Sequence, residues 1–236
     1  MRLKFASYNI HKGIGLDRRR DPARIIAVLR EIDADVIALQ EADRRIGERA
    51  SVLKQVALDD TKWRPADVAK RPRSMGWHGN VLLVRRDIDI VTAEPIDLPM
   101  LEPRGAAHAA LCCEGRTFRV IGTHLDLSGL RRRDQIKAIV DHVDRAEGHY
   151  PTVLMGDFNQ WRSTMGAMDE FAPHDPDGWQ ILDPGRSFPS RQPVARLDRI
   201  VVSEEWRNHA AGVHHSNLSA QASDHLPVWA DLELPK

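Results

Sequence analysis

Residues 81–124 read VLLVRRDIDIVTAEPIDLPMLEPRGAAHAALCCEGRTFRVIGTH, and this stretch decides the fold. Four apolar runs, at 81–85, 88–92, 106–113 and 118–124, are divided by the turn formers Asp87, Pro103-Arg104-Gly105 and Glu114-Gly115. Such clustering reads as antiparallel pairing and not as a pure βαβ alternation. Cys112 and Cys113, the only cysteines, adjoin one another in the third run. Neighbours on a strand point to opposite faces, so neither a disulfide nor a zinc site is expected.

Outward from the hairpins the period lengthens. On the N-terminal side, residues 3–9 alternate as a strand and end in Tyr8-Asn9, followed by a loop over 11–20. Asp21-Pro22 then caps and starts a helix whose Ile25, Val28, Leu29 and Ile32 share one face. A buried strand over 36–39 follows, ending in Gln40-Glu41. A second helix is expected over 48–58, and a loop containing one short strand over 64–79. On the C-terminal side, Ile136, Ile139, Val140 and Val143 mark a helix over 130–147, and a strand over 152–155 runs into Gly156-Asp157-Phe158-Asn159. Further strands are expected at 198–203, 211–216 and 226–234. Each half runs strand, helix, strand before its hairpins, an order that a two-sheet sandwich with helices outside accommodates.

The chain of 236 residues is 42% hydrophobic and 29% charged with zero formal net charge, which excludes disordered and membrane-spanning classes. One soluble domain over 1–236 is expected. The first residues form an alternating strand with no long apolar stretch, giving a cytoplasmic expectation with no transmembrane segment.

Chemistry-bearing residues gather at strand ends. Glu41 ends an apolar strand, where a buried carboxylate needs a metal, a partner or water; taken alone it reads better as a solvated strand end. Asp157 and Asn159 leave a glycine turn two residues apart, set to manage a proton and to hold phosphate, although an ordinary Asx turn has the same look. Ser223-Asp224-His225 precedes the last strand. Asp198, in Arg196-Leu-Asp-Arg-Ile, is placed to bind one nitrogen of His225 and fix its tautomer. His124 ends its strand likewise.

In order, Tyr-Asn9, Gln-Glu41, Gly-Thr-His124-Leu, Gly-Asp157-Phe-Asn159, Leu-Asp198-Arg-Ile and Ser-Asp224-His225 resemble the motifs of the endonuclease/exonuclease/phosphatase superfamily. The match runs from 9 to 225. The resemblance implies a deoxyribonuclease I-like α/β fold: a four-layer α/β/β/α sandwich of two mostly antiparallel mixed sheets flanked by helices. It also implies hydrolysis of a P–O bond by water with a divalent metal, Mg²⁺ or in substitution Mn²⁺. Residue by residue, Glu41 resembles the principal metal ligand, with Asn9 and Asp224 nearby. Asp157 resembles the group that orients or deprotonates water, and Asn159 its phosphate-binding companion. His225, held by Asp198, resembles the catalytic imidazole, and His124 a second phosphate-contacting histidine. Loss of Asp157 or His225 is expected to cost turnover with little effect on folding, both lying at the rim.

Basic residues accumulate in the loops expected around this rim: Lys12, Arg18–Arg20, Arg44, Arg45, Arg131–Arg133, Arg186, Arg191 and Arg196. Such a patch focuses an anionic substrate, although arginines on loops are commonly just solvated. Arg104 is a candidate to fork onto phosphate, His11 and Lys12 are candidates to contact it, and Trp161 to wall the pocket. Only 64–79 looks like a loop expansion, which speaks against a dedicated nuclease; Asn9-Ile-His-Lys-Gly and Arg186-Ser-Phe-Pro-Ser with Arg196-Leu-Asp-Arg-Ile resemble small bacterial members of the superfamily, and that resemblance implies a phospholipid-type or small phosphodiester substrate. A nonspecific nuclease is the alternative and a noncatalytic binding module the third reading. Nucleic acid and peripheral membrane surfaces are the further partners these readings admit.

Overall fold

The structure, a computed structural model, describes residues 1–44, 47–99, 103–146, 148–161, 166–171 and 178–235. Arg45 lies outside them. Two six-stranded sheets face one another. The first contains β1 (Arg2–Asn9), β2 (Val36–Gln40), β3 (Trp63–Pro65), β4 (Val81–Arg85), β11 (Arg207–Val213) and β12 (Val228–Glu233), in the order β11-β12-β1-β2-β4-β3. The second contains β5 (Asp89–Asp97), β6 (Gly105–Cys113), β7 (Arg116–His124), β8 (Thr152–Asp157), β9 (Trp179–Leu182) and β10 (Asp198–Ser203), in the order β5-β6-β7-β8-β10-β9. Each sheet holds one parallel pair, β1 with β2 and β7 with β8; every other pairing is antiparallel. Of the antiparallel pairings anticipated over 81–124, β5-β6-β7 is present, but β4 and β5 do not pair: at Arg86-Asp87 the chain crosses from one sheet to the other, and β4 lies between β2 and β3.

Strand alternation explains how the layers stack. Leu3 and Phe5 of β1, Val36 and Ala38 of β2, Val120 of β7, and Val153 and Met155 of β8 point between the sheets. Phe5, Phe118 and Trp206 interlock edge to face there, at ring separations of 5.4 to 6.1 Å. A fully buried aliphatic or phenyl side chain stabilises by about 1.5–3 kcal/mol, so this layer dominates the fold's hydrophobic energy. Gly122 of β7 keeps the sheets close: a Cβ there would sit 3.0 Å from the Ala38 and Leu82 side chains.

The alternate residues face outward under helices. Ala6, Tyr8, Ile37 and Leu39 meet Ile25, Val28, Leu29 and Ile32 of α1 (Pro22–Ile32). That helix starts as expected, with the Asp21 carboxylate accepting from the Arg24 amide at 3.1 Å and Pro22 in its first turn, and ends at Asp33 in the left-handed region. On the other side Ile121 and Leu154 meet Ile136 and Ile139 of α3 (Gly129–Arg145). The four-layer order is thus the one anticipated.

Six elements depart from expectation. The helix expected over 48–58 shrinks to α2 (Gln55–Asp59). Its first half is drawn into loop pairing instead, with the Ser51 amide on Arg73 O and the Val52 amide on Ala42 O, both at 2.7 Å; Val52 and Leu53 are buried as loop anchors. β5 runs on past Thr92 to Asp97, because it is an edge strand and tolerates Pro95. β11 lies earlier than 211–216, since after Val213 the chain turns and the His214 amide binds Pro227 O. β9, a 3₁₀ turn at Gly166–Phe171 and α4 (Ser219–Ala222) carry no periodicity long enough to be foreseen. Cys112 and Cys113 are free thiols. Among the described residues no helix is long and apolar enough to cross a membrane.

Candidate active site

The inward-facing rows end in polar residues at one end of the sandwich. Along β1 the row Leu3, Phe5, Ser7 finishes at Asn9; along β7 Phe118, Val120, Gly122 finishes at His124; along β8 Val153, Met155 finishes at Asp157; and β10 begins with Asp198. Register locks three of these together, with Asp157 opposite His124 on one side and Asp198 on the other. The polar cluster is therefore the top layer of the central core.

Asp157 sits at its middle, 1% exposed. The Asn9 amide Nδ2 donates to its Oδ2 at 3.0 Å across the gap between sheets. The same oxygen lies 3.4 Å from His124 Nε2 and 3.7 Å from His225 Nε2. Its Oδ1 accepts from the Asn159 amide at 2.9 Å, and Asn159, in the left-handed region at φ 50°, donates its side-chain amide to Leu125 O at 2.9 Å. That double tie fixes the turn after β8. Gly156 is required by the tight β7–β8 approach: an added Cβ would fall 1.9 Å from Thr123 O.

His225 Nδ1 lies 2.8 Å from Asp198 Oδ2, the pairing anticipated from sequence. Ser187 Oγ donates to the same oxygen, and Asp198 is wholly buried. Burial disfavours a charged imidazole, but the Asp198 and Asp157 carboxylates and the bond to Asp198 outweigh it, pushing His225 up to about 10. His225 is an imidazolium at neutral pH. His124 goes the other way, down to about 3, because burial dominates and Asp157 does not compensate. Its neutral Nε2 is the acceptor for Arg104 Nη1 at 2.6 Å. Asp157 and His225, expected at an exposed rim, are instead buried, so replacing either also perturbs packing.

Glu41 follows β2 with φ 53°, and His11 and Lys12 adopt left-handed φ of 44° and 58°. The Lys12 amide donates to Glu41 O at 3.1 Å and its ammonium pairs with the Glu41 carboxylate. Burial pushes the Glu41 carboxyl up, but Lys12 overrides it and holds Glu41 below the usual carboxylate range. The His11 amide caps Asn9 Oδ1 at 3.1 Å, and His11 Nδ1 lies 3.8 Å from Asp224 Oδ1. Ser223 Oγ donates to Asn9 O at 2.7 Å, tying the segment before β12 to the end of β1. Three non-glycine residues in left-handed backbone thus meet at this corner.

A cavity of about 300 Å³ opens beside Glu41, walled by Lys12, Arg49, His78, Arg104 and His124. Trp161 lies outside it, 64% exposed; its ring stands 6.3 Å from Phe188, which in turn stacks 4.8 Å from His225. Of the basic loops, Arg131–Arg133 are turned to local partners Asp134, Gln160 and Glu170, and Arg196 to Asp183. Arg49 and His78 were missed in sequence because the loops carrying them meet the site only in three dimensions. Ser187 had a faint signal, its place beside Phe188-Pro189 just upstream of Asp198.

A two-sheet sandwich with acidic and imidazole groups converging at the top of its core defines a class of ester-bond hydrolases. The model of the endonuclease/exonuclease/phosphatase family matches residues 6–225, and the chain belongs to that family, whose members hydrolyse phosphoester bonds. The uncharacterized protein YbhP of Escherichia coli is 26% identical over 251 residues, covering 98% of this chain and 96% of that one. The fold is shared with an endonuclease/exonuclease/phosphatase from Bacteroides vulgatus (TM-score 0.81, 17% identity, 100% of both chains). It is shared also with the mannosyl-6-phosphatase Bt3783 of Bacteroides thetaiotaomicron (TM-score 0.73, 20% identity, 98% of this chain and 99% of that one).

Proposed function

We propose that this protein is a Mg²⁺-dependent phosphodiesterase, with Mn²⁺ able to substitute, acting on a phospholipid-type or other small phosphodiester. The observation that carries the reading is the His225–Asp198 pair set 3.7 Å from Asp157 across the top of the core.

The residues present fit a hard cation. Glu41, Asn9 and Asp224 offer oxygen donors only, the set that Mg²⁺ prefers, and the carboxylate of Glu41 is already balanced by the Lys12 ammonium. Glu41 would hold the ion, with Asn9 and Asp224 completing its surroundings. When bound, the ion neutralises charge on the phosphoryl oxygens.

The chain's own groups divide the remaining work. Asp157, kept in place by Asn9 and the Asn159 amide, orients the attacking water and accepts its proton at Oδ2. His225, charged and held by Asp198, donates from Nε2 to a phosphoryl oxygen as negative charge grows there. His124 turns Arg104 toward the phosphate through the Nη1 to Nε2 bond, and Asn159 stiffens the turn that carries Asp157. The cavity beside Glu41 is compact and lined by cationic Arg49 and Arg104, which suits a small anionic head group better than a long polymer track. His11 and Trp161 border the approach.

Hydrolysis of a panel of phosphomonoesters, small phosphodiesters, phospholipids and DNA, with Mg²⁺, Mn²⁺ or EDTA, tests this. Metal-dependent turnover of the diesters without action on DNA is expected. Plasmid cleavage that falls steeply with salt would replace it with a nuclease, and full activity of Asp157→Ala would overturn the assignment of roles.

A further inference from the structure

Away from the catalytic end, on the outer face of the second sheet, three further ligating groups converge. Glu94 of β5 and His108 of β6 are directly paired across the hairpin, and His142 comes down on them from the last turn of α3. His108 Nδ1 is 3.2 Å from Glu94 Oε1, His142 Nε2 is 3.4 Å from that same oxygen, and the two nitrogens are 3.4 Å apart. All three atoms point to one place.

We propose that Glu94, His108 and His142 form a transition-metal site of the Zn²⁺ class. The triangle is the argument. Four-coordinate zinc with bonds of about 2.0–2.1 Å has ligand-to-ligand edges of ~3.3–3.4 Å, which these three separations reproduce. Hydrogen bonding alone accounts for the arrangement poorly. If each imidazole gives its proton to Glu94, the two N–H groups crowd each other at 3.4 Å; if one does not, a lone pair faces a carboxylate. A cation between them satisfies all three lone pairs together.

The surroundings agree. His108 is 4% exposed, and its Nδ1 points into the cluster toward Glu94 and His142. Burial holds both imidazoles below their ordinary pKa, and Arg119 nearby adds to the effect. The Glu94 side chain is 54% exposed, which leaves the fourth position open to water. The donor set, two imidazoles and one carboxylate, suits a borderline ion better than Mg²⁺. The site is separate from the catalytic cluster: His108 lies three residues along β6 from Gly105, the partner of His124, and on the outward face while His124 points inward. A bound ion would tie the edge strand β5 to the C-terminal end of α3.

Titration of the full chain with Co²⁺, in excess Mg²⁺, tests this through the intense visible absorption of four-coordinate cobalt. One equivalent is expected, and Zn²⁺ should displace it and raise the melting temperature. Glu94→Gln, an exposed change, and His142→Ala should each weaken Zn²⁺ binding at least tenfold, while Asp157→Asn retains the cobalt spectrum. Absence of that spectrum in the unmodified protein, its survival in the Glu94→Gln/His142→Ala double variant, or its loss only in Asp157→Asn would overturn the proposal.

Discussion

His225 and Lys12 show how single side chains are set by their neighbours. A buried imidazole would ordinarily give up its proton, yet two carboxylates keep His225 charged. Asp198→Asn should therefore lower kcat by about 10²–10⁴-fold with a smaller change in KM, and should pull the alkaline limb of the pH–rate profile downward in pH. An unchanged limb would show that Asp198 does not act through the imidazole. Lys12 is the present counter-ion of Glu41. On the proposed reading an ion held by Glu41 takes the place of this ammonium, so Lys12→Met should tighten Mg²⁺ binding by calorimetry, several-fold to about tenfold, and lower stability in EDTA. Weaker Mg²⁺ binding would mean that the ion does not compete with the ammonium.

At the scale of elements, the strands act as delivery rails: apolar inward positions set depth, and the last inward residue becomes chemical. This much was legible, because the alternation over 3–9 runs into Asn9, the apolar runs over 118–124 and 152–155 end at His124 and lead into Asp157, and the partnership of Asp198 with His225 follows from both flanking strands. What was not legible depends on loops. Residues 48–54 carry helix-like spacing, but Val52 and Leu53 spend it on docking, and the resulting bend brings Arg49 to within 3.5 Å of His78 at the cavity wall. Nothing local announces such a meeting. Arg104 was a candidate to fork onto phosphate, and its contact with His124, which needs β6 beside β7, had no local signal. Gly156 makes an element-level prediction: Gly156→Ala would force β7 and β8 apart at Thr123 O and should destabilise by about 1–3 kcal/mol in denaturant melts. It should also weaken activity, because Asp157 moves with the strand. Wild-type stability in this variant would show that the strands yield freely.

For the whole molecule, His124 and His225 oppose one another in their dependence on pH. His225, raised to about 10 from an ordinary 6.5, binds a proton in the native state that the unfolded chain lacks between those values. Its stabilisation is complete below about pH 6.5 and is lost as pH rises toward 10. His124, lowered to about 3, stays neutral when folded while the unfolded chain takes up a proton, so stability falls as pH drops from about 6.5 to 3. Each contributes a slope of up to about 1.4 kcal/mol per pH unit in its window. Thermal melts in EDTA should peak near pH 6.5; His124→Asn should flatten the acid side and His225→Asn the alkaline side. A peak that stays sharp on both sides in both variants would contradict this pairing.

The bond from Ser223 to Asn9 spans nearly the full length of the chain, and β12 is inserted between β11 and β1 in the first sheet. During synthesis the strand bearing Asn9 emerges early, while its neighbour and His225 emerge more than two hundred residues later. Until then β1 has an open edge and the imidazole has not been made. On the proposed roles the site is incomplete until this segment is made and folded, so activity arrives with that step instead of growing by degrees.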